Sequence, residues 1–102
     1  ARPWREVDHV ILYNTTGTGA AELTAMMAEG RRVLGAIPGV RSVVTGTAVR
    51  EDAAYRHCWL VRFAGAPVID SYRDHPGHRA FADTLFRPMA GDRVSIDYRD
   101  AS

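Results

Sequence analysis

Lysine is missing from this chain of 102 residues: all 13 of its basic residues are arginines. Schiff-base catalysis by a lysine amine and phosphate binding by a P-loop lysine are thereby excluded. A single cysteine, Cys58, allows no intrachain disulfide, and it falls mid-strand among apolar neighbours. Apolar runs extend only a few residues, far short of the roughly 20 needed to cross a bilayer. The opening segment, Ala1 to Glu6, has no apolar secretory core. Charge of one sign is lacking too. Thirteen basic residues stand against 12 acidic ones, so neither a nucleic-acid stripe nor an acidic tail is indicated. These absences lead to the expectation of a cytoplasmic protein of one domain, residues 1–102, without nucleic-acid or membrane partners. A chain this small leaves much surface exposed, and a homodimer is a natural way to bury more of it.

Hydrophobic periodicity divides the chain into six elements. Val7 to Tyr13 alternates as a strand, with Val7, His9, Ile11 and Tyr13 on one face and Val10 and Leu12 on the other. A polar loop follows, with Thr18 as the expected helix cap. Leu23, Met26, Met27, Gly30, Leu34 and Ile37 then recur at helical spacing until Pro38-Gly39 turns the chain. Val40 to Val49 reads as a strand bent at Gly46, and Arg56 to Phe63 as a third strand with His57, Trp59, Val61 and Phe63 on one face. Ala66 to Asp74 is a short helix. Pro76 to about Met89 continues it after a break, with Ala80, Phe81, Thr84 and Leu85 expected inward. Asp92 to Arg99 closes as a fourth strand. The order βαββαβ is that of a ferredoxin-like split βαβ unit: a four-stranded antiparallel sheet with helices on one face. Right-handed crossovers are expected to set the first and third strands side by side and parallel in its middle. The face carrying Val10, Leu12, Cys58 and Leu60 is too apolar to meet water, so a second copy is expected against it.

The segment Tyr72-Arg73-Asp74-His75-Pro76-Gly77-His78 gathers a phenol and two imidazoles around a helix-breaking proline. Pro76 has no N–H and clashes inside a helix, but it fits the first position of a new one. His78 then falls in the first turn, where the positive end of the helix disfavours a protonated ring. A neutral base with Tyr72 as a nearby proton donor is the expected result, while His75 serves the turn.

Five motifs give the chain a family resemblance. They are His9-Val10-Ile11-Leu12, Ile37-Pro38-Gly39-Val40, Tyr55-Arg56-His57, the set Tyr72, His75-Pro76 and His78, and the terminal Asp97-Tyr98. From about Val7 to Asp100 the chain resembles the dimeric α/β-barrel family, also called stress-responsive A/B barrel proteins. That resemblance implies ferredoxin-like subunits dimerising into a barrel. It also implies a likeness to the cofactor-independent polyketide cyclases of the family, whose catalytic tyrosine and histidine match Tyr72 and His78. Two further pocket histidines match His9 and His57. Trp59 stands where those enzymes have a smaller aliphatic residue, and the region of Met89 and Ala90 lacks their bulky aromatic. A different cavity shape is expected from both changes.

The expected site is an apolar pocket between sheet and helices, walled by Ile11, Tyr13, Met27, Trp59, Val61 and Phe81, with polar groups converging on it. His9 and His57 share the helix side of their strands, and parallel neighbours would bring them together. His78 would act as general base on a carbon flanked by two carbonyls, Tyr72 would hydrogen-bond the developing oxyanion, and His9 or His57 would orient the chain. No metal and no organic cofactor is required. The alternatives are a non-catalytic small-molecule-binding or stress-associated protein and a cofactor-free oxygenase. A zinc site would instead draw on His9, His57 and His78. Plain structural roles for the four histidines remain the competing explanation.

Overall fold

The computed structural model describes residues 5–99. Ala1 to Trp4, part of the segment without a secretory core, and Asp100, where the resemblance was expected to end, lie outside the described residues.

The elements follow in the order β1 (Val7–Thr15), α1 (Ala20–Gly35), β2 (Val40–Thr47), β3 (His57–Phe63), α2 (Val68–Asp74) and α3 (Pro76–Phe81). A π-helical turn (Ala82–Phe86), α4 (Arg87–Met89) and β4 (Ala90–Arg99) complete them. The sheet has four strands in the order β2-β3-β1-β4, and every neighbouring pair is antiparallel. The ferredoxin-like expectation holds, but the parallel pairing of β1 and β3 does not. The α1 crossover makes β1 parallel to β2, and the hairpin then sends β3 back between them, antiparallel to both.

Alternation along each strand sorts the residues by face. Toward the helices point Val7 and Tyr13 of β1 and Trp59, Val61 and Phe63 of β3, all buried. From α1 the buried stripe is Met26, Met27, Gly30 and Leu34. Gly30 is required there. A Cβ at that position would lie 2.3 Å from the Trp59 ring and 2.7 Å from Phe81, so the missing side chain lets α1 settle onto the indole.

Several local expectations change. Gly19, not Thr18, caps α1, and the Thr18 hydroxyl donates instead to the Thr16 carbonyl. β2 ends at Thr47 rather than Val49, and its irregularity lies between Val40 and Ser42 rather than at Gly46. Gly46 faces Cys58 across the ladder, where a Cβ would come within 2.9 Å of Sγ. Ala80 and Thr84, expected inward, are exposed, whereas Phe81, Ala82 and Phe86 are buried. The π turn adds a residue to the repeat, so the inward positions run 81, 82 and 86. Its origin is local. Pro88 has no N–H for the Thr84 carbonyl and would collide with it in a regular helix. The Thr84 hydroxyl bonds back to the Ala80 carbonyl, and the Arg87 N–H reaches five residues back to Ala82.

Among the described residues nothing covers the second face of the sheet. Val44, Leu60, Ile96 and Tyr98 there are 50, 41, 46 and 52 % exposed. Arg62, on the same face, is tied to Asp8 at 2.9 Å and to Glu6 at 3.5 Å.

Replacing Gly30 by Ala gains about 1 kcal/mol of helix propensity but forces the Trp59 and Phe81 rings apart, at a cost of about 1–3 kcal/mol. Overpacking is expected to win, leaving Gly30→Ala destabilised by about 1 kcal/mol; a urea midpoint equal to or above that of the unaltered chain would refute the close approach.

Candidate functional site

Pro76 breaks the helix as the sequence requires: α2 stops at Asp74 and α3 begins at Pro76. His75 is the N-cap of α3, and its Nδ1 accepts from the Gly77 N–H at 2.9 Å, so this imidazole serves the turn. The break swings His78 back over the end of α2. Its Nδ1 lies 3.1 Å from the Arg73 carbonyl oxygen. A carbonyl only accepts, so Nδ1 carries the hydrogen and, in the neutral ring, Nε2 keeps its lone pair.

Three rings meet at this point. The Tyr72 and His78 centroids are 4.5 Å apart, and His9 lies 6.0 Å from Tyr72. Phe63 closes the group, 4.8 Å from Tyr72 and stacked on His9 at 5.7 Å. His9 is oriented from β4: its Nδ1–H donates to Asp97 Oδ1 at 2.5 Å, a contact fixed by the register that pairs His9 with Asp97.

Burial lowers the His78 pKa below its usual value; the neighbouring His9 and Arg87 add to the shift, while the bond to Arg73 and the charge of Asp83 oppose it. The direction matches the sequence expectation, with desolvation as its leading cause. Burial also pushes the Tyr72 phenol well above its ordinary range, so it stays protonated and able to donate.

His57 does not join them. In the antiparallel register it pairs with Tyr13, whereas His9 pairs with Val61, so the two histidines sit four residues apart along β1, at about 3.4 Å per residue. His57 packs on Tyr13 at 5.5 Å and approaches the Thr47 hydroxyl at 3.4 Å; burial, then Arg56, lowers its pKa. The separation also breaks up the three-histidine zinc set. Among the described residues no group of three or more His, Cys, Asp or Glu side chains is placed to hold a metal ion.

The expected apolar pocket is nearly filled. Between sheet and helices a hollow of about 30 Å³ is lined by Ile11, Trp59, Val61, Tyr72, His78 and Phe81, among others. That is room for a water or two, not for an organic guest. Trp59 fills it, edge-on to Phe81 at 5.8 Å and to Phe86 at 6.3 Å. Tyr13 and Met27, expected as walls, are buried and do not line it.

An accessible cleft lies beside this hollow. It has a volume of about 300 Å³ and opens between β4 and the α2–α3 junction, lined by His9, Phe63, Ile69, Tyr72, Arg73, His78, Arg87, Ser95 and Asp97. It lies at the lower end of the usual range for small-molecule sites. β4 is an edge strand whose apolar positions Val94, Ile96 and Tyr98 pair with Leu12, Val10 and Asp8, on the uncovered face. Its helix-side residues Ser95 and Asp97 are therefore polar and exposed. Tyr72 and His78 border both hollow and cleft. Sequence reasoning passed over Ser95, Arg73 and Arg87, and it noted Asp97 only as a motif match. Strand alternation alone places Asp97 on the side of the histidines.

The profile of the stress responsive A/B barrel domain matches residues 7–100. The chain belongs to this family. No functionally curated protein matches it in sequence. Solved structures match closely in fold. One is a dimeric ferredoxin-like protein of unknown function from Thermobifida fusca, 21% identical with a TM-score of 0.81, covering 94% of this chain and 92% of its own. A hydroxynitrile lyase from Passiflora edulis is 18% identical with a TM-score of 0.84, covering 96% and 95%. A mutant of SnoaB, a cofactor-independent oxygenase from Streptomyces nogalater, is 15% identical with a TM-score of 0.78, also covering 96% and 95%. Some relatives with this architecture are thus enzymes, and at these identities the likeness establishes the fold. Among the described residues no helix is long and apolar enough to cross a membrane.

Because the folded pKa of His78 is depressed, the fold favours the neutral ring, and its contribution to stability is present above the ordinary histidine value and lost as pH falls through the folded one. Its imidazole resonances should titrate with a midpoint below about 6.5, and urea stability should drop on acidification through that window by less in His78→Gln. A midpoint at or above the ordinary value would contradict the desolvated geometry.

Proposed function

We propose that the chain is a cofactor-independent acid–base enzyme of the cyclase or isomerase type, acting on a small polycarbonyl, polyketide-like molecule in the cleft beside β4. The observation that carries this reading is His78: its Nδ1–H is committed to the Arg73 carbonyl, its ring borders Tyr72 at 4.5 Å, and both line an open cleft.

In the proposed reaction Nε2 of His78 takes a proton from a carbon flanked by two carbonyls. The electron pair of that C–H bond moves onto a carbonyl oxygen, and Tyr72 donates a hydrogen bond to the resulting enolate. His9, held by Asp97, orients the neighbouring carbonyl. The enolate carbon then attacks a second carbonyl of the same molecule, and the proton on His78 goes to the alkoxide that forms. Of the expected substrate-binding residues only His9 lines the cleft; Ile11, Trp59, Val61 and Phe81 line the filled hollow instead, and His57, Tyr13 and Met27 line neither.

His78→Gln is expected to lower turnover of a cyclisable poly-β-ketone by about 10²–10⁴-fold, with ligand affinity within a few-fold. Tyr72→Phe should lower it less while keeping the acid limb of the pH profile. Unchanged turnover in His78→Gln would overturn the reading. Binding without any turnover would assign the cleft to a carrier, and oxygen uptake in step with product would assign it to an oxygenase using the same base.

The uncovered sheet face is proposed as the interface of a homodimer. Val44, Leu60, Ile96 and Tyr98 form an apolar surface there, and the similar Thermobifida fusca protein is dimeric. Leu60→Arg places a second guanidinium in that surface, near Arg62, and is expected to shift the protein from dimer to monomer in sedimentation. A monomeric unaltered chain at micromolar concentration would sink the proposal.

A further inference from the structure

Two guanidinium groups flank the cleft, and neither belongs to the acid–base cluster. Arg73 follows Tyr72 on α2, and Arg87 opens α4. Arg87 reaches the cleft because of the π turn. At about 100° per residue, the nine steps from His78 would put Arg87 on the opposite side of a regular helix. One extra residue in the π turn takes back about 100°, which returns Arg87 to within about 80° of His78. Both then line the same opening, and the charge of Arg87 is felt at the His78 ring.

The remaining walls divide by chemistry. Phe63 and Ile69 offer an apolar floor, and Ser95 a hydroxyl. Among the described residues, the only carboxylate lining the cleft is Asp97, which His9 engages. The acidic partners of the arginines lie outside it: Asp70 at 2.7 Å and Asp74 at 4.0 Å from Arg73, and Asp83 at 2.5 Å from Arg87. Those pairs are exposed on the surface, where such contacts are weak. A guanidinium has five donors, and the contact to Asp83 through Nη1 does not exhaust those of Arg87.

We propose that the cleft selects an organic acid, its carboxylate bound by Arg87 and Arg73 and its carbon skeleton laid on Phe63 and Ile69, with the carbon to be deprotonated facing His78. This inference deepens the proposed function by naming the charge of the substrate. It makes Arg87 a binding residue placed by the π turn, and it makes a neutral ester of the same skeleton a poor ligand.

The test is binding, so that it reads independently of turnover. Calorimetry with 4-acetylbenzoate and with its methyl ester compares an acid and a neutral molecule of one shape. The acid is expected to bind about tenfold more tightly. Arg87→Gln should bring the two to near-equal affinity without weakening the ester, and Arg87→Lys should restore part of the difference. In Arg87→Gln the His78 titration midpoint should also move up, a shift that a purely structural arginine away from the cleft would not give. Equal affinities in the unaltered protein, or a preference that survives Arg87→Gln and Arg73→Gln, would overturn the proposal. So would displacement by inorganic phosphate at the same concentration as the acid, since the skeleton would then contribute nothing. Loss of turnover in His78→Gln with no acid preference would sink this inference and leave the acid–base reading standing; the acid preference without any catalysis would do the reverse.

Discussion

The position of the site depends on one contact, the Trp59 indole set against the bare backbone of Gly30. Any side chain on α1 at that position would meet the ring at 2.3 Å, so helix and sheet approach closely only because residue 30 has none. The indole then spreads beneath Phe81 and Phe86 and occupies the space where a ligand would sit between the layers. What remains there is about 30 Å³. Filling the interior leaves accessible volume at the side, in the cleft between β4 and the α2–α3 junction.

The helical layer answers that displacement with two departures from regularity, each caused by a proline. Pro76 ends α2 and lets His75 cap the next helix, which folds His78 back onto the Arg73 carbonyl and against Tyr72. Pro88 removes a bond from the following helix, and the π turn upstream accommodates it. The first break supplies a fixed tautomer. The second rotates Arg87 toward the same opening. Both devices orient side chains through the backbone, so the cleft is shaped by main-chain bonds rather than by a dense polar network.

Much of the architecture was legible because it follows from periodicity. The stripe of Met26, Met27, Gly30 and Leu34, the alternation of Trp59, Val61 and Phe63, and the break at Pro76 each follow from a repeat of one kind and a residue that interrupts it. The convergence of Tyr72 with His78 followed from the same break. Three things did not follow. Strand direction is not contained in alternation, and reading β1 and β3 as parallel brought His57 beside His9 when the register places it against Tyr13. Side-chain volume is not contained in a polarity pattern: the larger Trp59 was expected to change the shape of the cavity, but the extent to which it fills the hollow became visible only in three dimensions. A π turn shifts the phase of everything after it, which put Thr84 inward and hid Arg87.

The electrostatics of the cluster narrow the chemistry further. An imidazole whose pKa is held below its ordinary value by burial is neutral and available near neutral pH, but it is also a weaker base than free imidazole. It can take a proton only from carbon already acidified, as between two carbonyls, or from a group whose anion is stabilised as it forms. Tyr72 meets that second requirement in one way only. With its phenol pushed up by burial, it holds its proton and stabilises an oxyanion by hydrogen bonding rather than by full transfer. In the proposed reaction, a weak base beside a reluctant acid would leave an enolate bound and directed rather than quenched. Such an enolate would either close onto a carbonyl within reach or meet a small electrophile entering the cleft, and the exposed side of β4 leaves room for either. Positive charge at the rim would favour the anion in both cases, and this is the physical ground for assigning the arginines and the imidazole to one proposed site.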